Sequence, residues 1–283
     1  MSGPVEGGPT VRRIVLGHQL RRLRESRSLT REAAGEAVDG SGSKISRMEL
    51  GRVSFKEQDV RALLRFYGVD EREHEGLLDM ARHANEPGWW HRYGELVPSW
   101  FQNYVGLEEA ATRIQTYEVR IVPGLLQTEE YAWWVVKQGL PEVPDAEVRR
   151  RVRLRMARQE ALSERTRIWA VVDEAALHRV IGDREVMRNQ LRHLAQLSEQ
   201  NRVSLQVVPF AVGNYSAENA FTLLRFAEPE LPDIVYMEYI NGSLYLDKRS
   251  EVELYTKVTH RLAVEASTPQ DSCELLRGLV ERL

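Results

Sequence analysis

The sequence has a single cysteine, Cys273, and no long apolar segment. One thiol cannot form an internal disulfide framework or a multi-thiolate zinc site, and such a chain is typical of the reducing cytoplasm. The longest apolar runs, Ala132–Val136 and Ile168–Val172, are far shorter than the ~20 residues of a membrane-spanning helix. Residues 1–11 contain no apolar signal core, and their glycines and prolines predict a disordered tail. We therefore expect a cytoplasmic protein with no membrane partner.

The sequence also has none of the short motifs that mark common catalytic and cofactor-binding sites. It contains no G-x-x-x-x-G-K-[ST], G-x-G-x-x-G, G-x-S-x-G or H-E-x-x-H pattern. Its seven histidines are scattered along the chain, and no two of them stand at a short metal-ligand spacing. We expect no enzymatic activity, no cofactor and no metal site.

Length, composition and charge predict a two-domain globular protein with a basic N-terminal part. A chain of 283 residues is longer than one typical domain, and its 42% hydrophobic and 29% charged residues are ordinary for a folded protein. Residues 1–68 carry 13 lysines and arginines against 8 acidic residues, a net charge of +5 within a chain whose net charge is −3. The remainder therefore carries −8. A basic N-terminal domain is able to present a positive face to nucleic acid.

Hydrophobic periodicity divides the chain near residue 85. Residues 12–84 contain short amphipathic segments and no proline, which predicts an all-α bundle. The composition then changes at Asn85-Glu86-Pro87-Gly88. Residues 85–283 combine helical patterns, one of them over 105–118, with short runs of strand length, which predicts a mixed α+β domain. The predicted strands are Ile168–Val172, Val203–Val208, Phe221–Phe226, Ile234–Ile240 and Leu244–Leu246, with a hairpin turn at Asn241-Gly242.

The segment from Leu29 to Gly51, LTREAAGEAVDGSGSKISRMELG, has the pattern of two short helices joined by a tight turn. Thr30 is a suitable N-cap for a helix from Arg31 to Val38, and a second helix is predicted at about residues 41–51. Small residues in the first helix permit a close approach of the second. Apolar contacts between them are expected from Val38, Ile45 and Met48. The polar outer face of the second helix then consists of Ser43, Lys44, Ser46 and Arg47.

This segment resembles the repressor-type (XRE, Cro/cI-like) helix-turn-helix, most specifically in the letters SKISRMELGR. The resemblance implies that the isoleucine is core, that the glutamate-glycine pair ends the recognition helix, and that the polar positions face a DNA major groove. Gly42 departs from the family pattern, because many relatives carry a polar base-reading side chain there. The residues that the resemblance implies as DNA contacts are Arg31, Ser43, Lys44 and Arg47, with Arg52 as a phosphate contact beyond the helix end.

The resemblance extends over about residues 12–282. The letters PGLLQTEEYA and LRFAEPELPDIVYMEYINGSLYLD, together with the helix-turn-helix, look like one family of two-domain actinobacterial regulators. Their C-terminal domain has been described as antitoxin-like, and their genes often neighbour one for a short partner protein. The resemblance implies a fold of multidomain α and β class, with residues 12–84 as a repressor-type helix-turn-helix bundle and residues 85–283 as an α+β domain.

Two interpretations of function remain open at this point. The first is a transcriptional regulator that binds a double-stranded DNA operator as a homodimer, with residues 85–283 used for dimerisation, for sensing or for partner binding. The second is an antitoxin-like interaction module that binds a small partner protein, with DNA binding secondary. The run of six arginines within Arg149–Arg158 is either a solvated helix paired to acidic neighbours or a surface for phosphate or an acidic partner.

Overall fold

The computed structural model describes residues 8–200, 202–212 and 219–283, and these form two compact units. The first unit comprises Met1–Arg92 together with Glu228–Leu231, and the second comprises Tyr93–Ala227 together with Pro232–Leu283. The division therefore lies at residue 92, not at the composition change near Asn85. The reason is that Asn85 is tied into the first unit: its side chain accepts a hydrogen bond from the Phe55 backbone N–H at 2.9 Å and donates one to the Phe55 carbonyl.

The described part of the first unit is helical, as the sequence predicts. Its core joins side chains from every helix, among them Leu16, Ile45, Leu63 and Leu78. Of the predicted tail, residues 1–11, residues 1–7 lie outside the described part of the chain, and residues 9–11 already belong to the first helix. The helix begins within the predicted tail because Pro9 occupies its first turn, where a missing N–H costs nothing. The helices are α1 Pro9–Ser26, α2 Arg31–Glu36, α3 Gly42–Glu49, α4 Glu57–Phe66 and α5 Glu71–Ala84.

The second unit is built on a six-stranded mixed sheet, which confirms the predicted α+β character. The strands lie in the order β3-β2-β1-β4-β5-β6. The first three are mutually parallel, and the remaining pairs are antiparallel. A hairpin joins the last two strands as predicted, but its loop residues are Ile240 and Asn241 instead of Asn241-Gly242, because Gly242 pairs with Tyr239 as the first residue of β6. The strands are β1 Arg113–Glu118, β2 Arg167–Asp173, β3 Val203–Val208, β4 Phe221–Arg225, β5 Ile234–Tyr239 and β6 Gly242–Leu246.

The strand β1 corrects the helix predicted over residues 105–118. A helix does cover the first part of that range, but it ends at Ala110, and the chain continues as a central strand. Polar residues inside the strand, such as Gln115 and Thr116, resemble the polar side of a helix in the sequence. The helices of this unit are α6 Ser99–Ala110, α7 Glu129–Gly139, α8 Asp145–Ala161, α9 Glu174–His178, α10 Arg184–Ser198, α11 Arg249–Glu265 and α12 Pro269–Arg282.

Candidate nucleic-acid interface

The turn between α2 and α3 brings the two helices into close contact. Thr30 caps α2 through its side-chain oxygen, which accepts from the Ala33 N–H at 3.1 Å. The chain reverses through Asp39, whose φ of 46° lies in the left-handed region, and the Gly40 N–H bonds the Gly35 carbonyl at 2.9 Å. A Cβ atom on Gly35 would lie 2.6 Å from the Ser41 carbonyl carbon, so that only glycine permits this approach. The predicted helix-turn-helix is therefore present.

The helix α3 has one buried and one exposed side. Ile45 and Met48 are 1% and 2% exposed and belong to the core of the first unit, as predicted. Ser41 caps the helix, because its side chain accepts from the Lys44 N–H at 3.3 Å. Ser43 and Arg47 are exposed on the opposite side. The side opposite the core thus presents Ser43 near the N-terminus of α3, the end at which major-groove recognition helices contact base edges, and Arg47 in the last turn.

Arg31 is held by an ion-pair network that sequence reasoning did not foresee. The carboxylate of Glu49, which is almost fully buried, accepts from Arg31 Nε at 3.1 Å. The same carboxylate also accepts two hydrogen bonds from Arg24. The hydrogen bond from Arg24 to Glu49 raises the pKa of that arginine above its usual value. The Nε atom of Arg31 is therefore used to stabilise the fold, although 40% of the side chain remains exposed.

Lys44 is also paired within the domain. Its Nζ lies 2.8 Å from Asp59 Oδ2 at the start of α4 and donates to the Val38 carbonyl at 3.2 Å. The lysine side chain is 30% exposed and that of Asp59 is 10% exposed. The cation is thus directed towards α4 and the end of α2. Lys44 fixes the start of α3 against its neighbours, whereas the sequence alone predicted a free contact to DNA.

Three of the predicted contact residues form an open polar surface at α3. Ser43, Arg47 and Arg52 are all exposed, and we call them the α3 surface. Among the described residues, no carboxylate lies within ion-pair distance of Arg47 or Arg52. The Arg52 N–H bonds the Arg47 carbonyl at 2.9 Å, which places both arginines at the C-terminal end of the helix. These two guanidinium groups are available to an external anion.

Gly42, the residue that departs from the family pattern, is constrained by its neighbour in α2. A Cβ atom at this position would lie 2.7 Å from Glu32 Oε1. A larger residue would therefore displace the exposed carboxylate of Glu32 from the first turn of α2, where it interacts favourably with the helix N-terminus. Glycine at position 42 therefore leaves room for the Glu32 carboxylate at the start of α2.

The partners that sequence reasoning missed, Arg24 and Asp59, each carried a weak signal. Arg24 stands four residues after Leu20 and eight after Leu16, on the apolar stripe of α1. A charged residue on such a stripe usually has a buried partner. Asp59 precedes Val60 in the first turn of α4, where helix capping is an equally good explanation. Neither spacing identifies the partner, because both ion pairs join separate helices.

Three of the six arginines in the α8 run are engaged within the second unit. Arg158 makes two hydrogen bonds to the buried carboxylate of Glu108, at 2.7 and 2.8 Å, and its guanidinium lies 5.0 Å from the centre of the Phe101 ring. Arg155 donates to the Gln127 side chain, and burial lowers its pKa to about 10. Arg151 pairs with Glu147 one turn earlier at 2.8 Å. Half of the run therefore supports the domain internally.

Comparison with protein-family models agrees with both units. Residues 15–77 match a model described as a helix-turn-helix domain, the region that contains α2, α3 and the α3 surface. A helix-turn-helix on a helical bundle defines the class of DNA-binding regulators. Residues 101–278 match a model described as domain of unknown function (DUF5753). Since that match covers more than half of the chain, the protein belongs to the DUF5753 family.

No curated protein and no solved structure matches this chain. In the part of the chain that the structure describes, no helix combines the length and the apolar character needed to cross a membrane.

Proposed function

We propose that the protein is a cytoplasmic transcriptional regulator of the repressor type that binds an operator without catalysing a reaction. In this proposal α3 enters the major groove of double-stranded DNA. Ser43 and Arg47 contact base edges or phosphates, and Arg52 contacts a phosphate beyond the helix end. Arg31 and Lys44 act mainly by holding α3 in place, because their cationic groups are paired with Glu49 and Asp59.

The observation that carries this proposal is the division of α3 into a buried side and an unpaired basic side. Ile45 and Met48 anchor the helix in the core, so the orientation of the opposite side is fixed before DNA arrives. Arg47 is exposed there without a carboxylate partner among the described residues. A guanidinium group in this position is able to make a two-pronged contact with the O6 and N7 atoms of guanine.

Homodimerisation is the second part of the proposal. One helix-turn-helix domain buries a small area against DNA, and regulators of this kind gain affinity by occupying two half-sites about 34 Å apart. A homodimer would place two copies of the α3 surface on a two-fold symmetric operator. The second unit supplies the additional surface for self-association.

Binding titrations at several salt concentrations test the DNA contact. The full chain is titrated with a duplex from the region upstream of its own gene and with a scrambled duplex of the same composition. If Arg47 contacts a base, Arg47→Ala weakens binding to the operator duplex by about 1–3 kcal/mol and relaxes the preference at one position. Arg52→Ala weakens binding to both duplexes and makes the log–log salt slope shallower by about one.

Arg65→Ala is the matched control for these variants. Arg65 is exposed in the last turn of α4 and stands six positions after Asp59, the residue that contacts α3. Its removal should leave both affinities unchanged. Unaltered binding in Arg47→Ala and Arg52→Ala, with the fold intact, would contradict the assignment of the α3 surface to DNA. A particle mass that equals one chain both free and on the operator would contradict homodimerisation.

An antitoxin-like interaction module is the second candidate function, and the β5–β6 hairpin favours it. Strand β6 lies at the edge of the sheet, and the hairpin exposes Tyr239, Ile240 and Leu244. Unpaired edge strands with apolar side chains are surfaces on which another chain can add a strand. The resemblance to regulators encoded beside a short partner protein supports such an occupant.

Co-purification of the full chain with the product of a neighbouring short gene tests this second candidate. The interaction candidate predicts a stoichiometric complex that Ile240→Lys abolishes while DNA binding is retained. A complex that is indifferent to Ile240→Lys would exclude the hairpin as the contact. Lys248 is exposed just beyond β6, and Lys248→Ala is a control for nonspecific effects of surface charge.

A further inference from the structure

A row of arginines crosses the second unit at one end of the sheet. In the strand register, Arg113 of β1 lies opposite Arg167 of β2 on one side and opposite Arg225 of β4 on the other. Arg202, the residue before β3, extends the row, since its carbonyl accepts a hydrogen bond from the Ile168 N–H at 3.0 Å. We call these four residues the arginine row.

The arginine row lines a cavity of about 330 Å³. The indole of Trp169 and the imidazole of His260 also line it, the latter from α11. Strand residues form the floor of the cavity. Successive side chains along a strand point to opposite faces of the sheet, and in the strand register Arg113 and Trp169 point to the same face. Helix α11 packs against this face. Small-molecule sites have volumes from roughly 300 to 1,000 Å³, so this cavity has the size of a compact ligand.

Only one member of the arginine row has an acidic partner among the described residues. Arg225 Nη1 lies 2.6 Å from Asp233 Oδ2, and the same guanidinium bonds the side chains of Gln115 and Thr256. Arg113 has no ion pair in the described part of the chain, and Arg167 and Arg202 bond only backbone carbonyls, at 3.3 Å. The Nε atom of Arg202 is buried and has no hydrogen-bond partner.

This arrangement is unfavourable for the protein when no anion is bound. Like charges directly opposite one another on neighbouring strands are destabilising, and the row sets three arginines side by side; because Arg113 and Arg167 are exposed, water and salt screen part of this repulsion. A buried donor without a partner, such as Arg202 Nε, adds a further cost. The arginines stand at the ends of strands, so no helix dipole compensates their charges. A bound anion would offset both effects at once.

We propose that the arginine row binds a small phosphorylated molecule. The three unpaired guanidinium groups exceed the charge of a single carboxylate and match a phosphate or diphosphate, for which the planar arginine fork is well suited. The Trp169 indole supplies a flat apolar wall for the remainder of the ligand. The site is an open depression between the sheet and α11, lined in part by the exposed Arg113 and Arg167, and its volume suits a small molecule better than a nucleic-acid duplex. The inference does not depend on the DNA contact proposed for α3.

Titration calorimetry of the full chain with inorganic pyrophosphate, at ionic strength matched with KCl, tests the site. We expect saturable binding of one pyrophosphate per chain. Arg113→Gln and Arg167→Gln should each weaken it by about ten- to a hundred-fold, the loss typical of one hydrogen bond between charged groups. The matched control is Arg150→Gln, an exposed arginine of α8 outside the cavity, which should bind as the parent protein does.

Thermal unfolding of the same proteins distinguishes a ligand site from a structural role. Without pyrophosphate, Arg167→Gln should melt at a higher temperature than the parent protein, because the substitution removes like-charge repulsion. With pyrophosphate it should gain less stability than the parent protein gains. A lower melting temperature together with an unchanged pyrophosphate affinity would show that the arginine is structural.

Two further results would overturn the proposal. One is the absence of saturable pyrophosphate binding at millimolar concentration in the parent protein. The other is a loss of duplex DNA affinity in Arg113→Gln with pyrophosphate binding unchanged, since the arginine row would then be part of a nucleic-acid surface. Retention of operator binding in Arg113→Gln together with loss of pyrophosphate binding supports a separate site in the second unit.

Discussion

Arg24 and Glu49 face each other in the first unit with both carboxylate oxygens engaged. Arg24 Nε lies 2.5 Å from Glu49 Oε1, and Arg24 Nη2 lies 3.0 Å from Glu49 Oε2. The arginine side chain is 8% exposed and the glutamate side chain 2% exposed. Arg24 belongs to α1 and Glu49 to the last turn of α3. The pair therefore links the helix that is proposed to contact DNA to the longest helix of the bundle.

Removal of one partner from this pair should destabilise the first unit strongly. We expect Glu49→Ala to lower the free energy of unfolding by about 3–5 kcal/mol, because it leaves the Arg24 guanidinium buried without its carboxylate. Urea unfolding monitored by circular dichroism measures the loss. The double variant Arg24→Met/Glu49→Leu should recover much of it, since a buried pair replaced by apolar side chains is often neutral. A loss below about 1 kcal/mol in Glu49→Ala would show that the pair contributes little.

The stability of α3 should depend on its buried side and not on its exposed side. Ile45→Ala should cost about 2–5 kcal/mol, because it opens a cavity in a core where Ile45 is 1% exposed. Arg47→Ala should change the free energy of unfolding by no more than about 0.5 kcal/mol. Thermal unfolding of both variants provides the comparison. Equal destabilisation by the two substitutions would contradict the orientation of the helix.

Sequence reasoning predicted the local elements of the first unit well and its long-range pairings poorly. The turn at Asp39-Gly40 and the buried positions Ile45 and Met48 follow from residues that are close together in sequence. The pairings of Lys44 with Asp59 and of Arg24 with Glu49 join helices that the sequence does not align. Lys44 was assigned as a DNA contact because of its charge and its place on the outer helix face. The sequence of α3 is the same whether or not an aspartate from another helix pairs with that lysine.

The second unit shows the same limit at the level of the sheet. The strands β2 to β6 were predicted from β-branched and aromatic runs, but β1 was predicted as helix. Its sequence, RIQTYE, has polar residues at Gln115 and Thr116, which are covered by neighbouring strands and side chains once the sheet forms. The arginine row was likewise not predicted, because its members come from strands whose register only the fold defines.

The Lys44–Asp59 pair predicts that Lys44, expected from the sequence to contact DNA, also stabilises the fold. Lys44→Met should destabilise the first unit by about 1–3 kcal/mol, since it leaves the Asp59 carboxylate with little solvent and no cation. Lys44→Met/Asp59→Asn should be less destabilised than Lys44→Met, because the unpaired charge is gone. Chemical unfolding of the two variants and the parent protein measures both effects. A Lys44→Met protein as stable as the parent would show that the lysine is free in solution.

Glu118 is the last residue of the central strand β1. Burial raises the pKa of Glu118 to about 7 from a usual value of 4.5. Arg120 and Arg155 lower this pKa and Glu238 contributes to its rise, so that the value of about 7 is the net result. At pH values between 4.5 and about 7, the Glu118 carboxyl keeps its proton in the folded protein and has released it in the unfolded chain. The free energy of unfolding should therefore fall as the pH rises through this window and remain low above it.

Glu118→Gln should remove this pH dependence, because glutamine carries no titrating group. Below pH 4.5 the variant and the parent protein should be about equally stable, whereas at pH 8 the variant should be more stable by on the order of 3 kcal/mol. Urea unfolding of both proteins across this range gives the difference directly, since every other titrating group is common to the two. A constant difference at all pH values would show that Glu118 titrates alike in the folded and unfolded states.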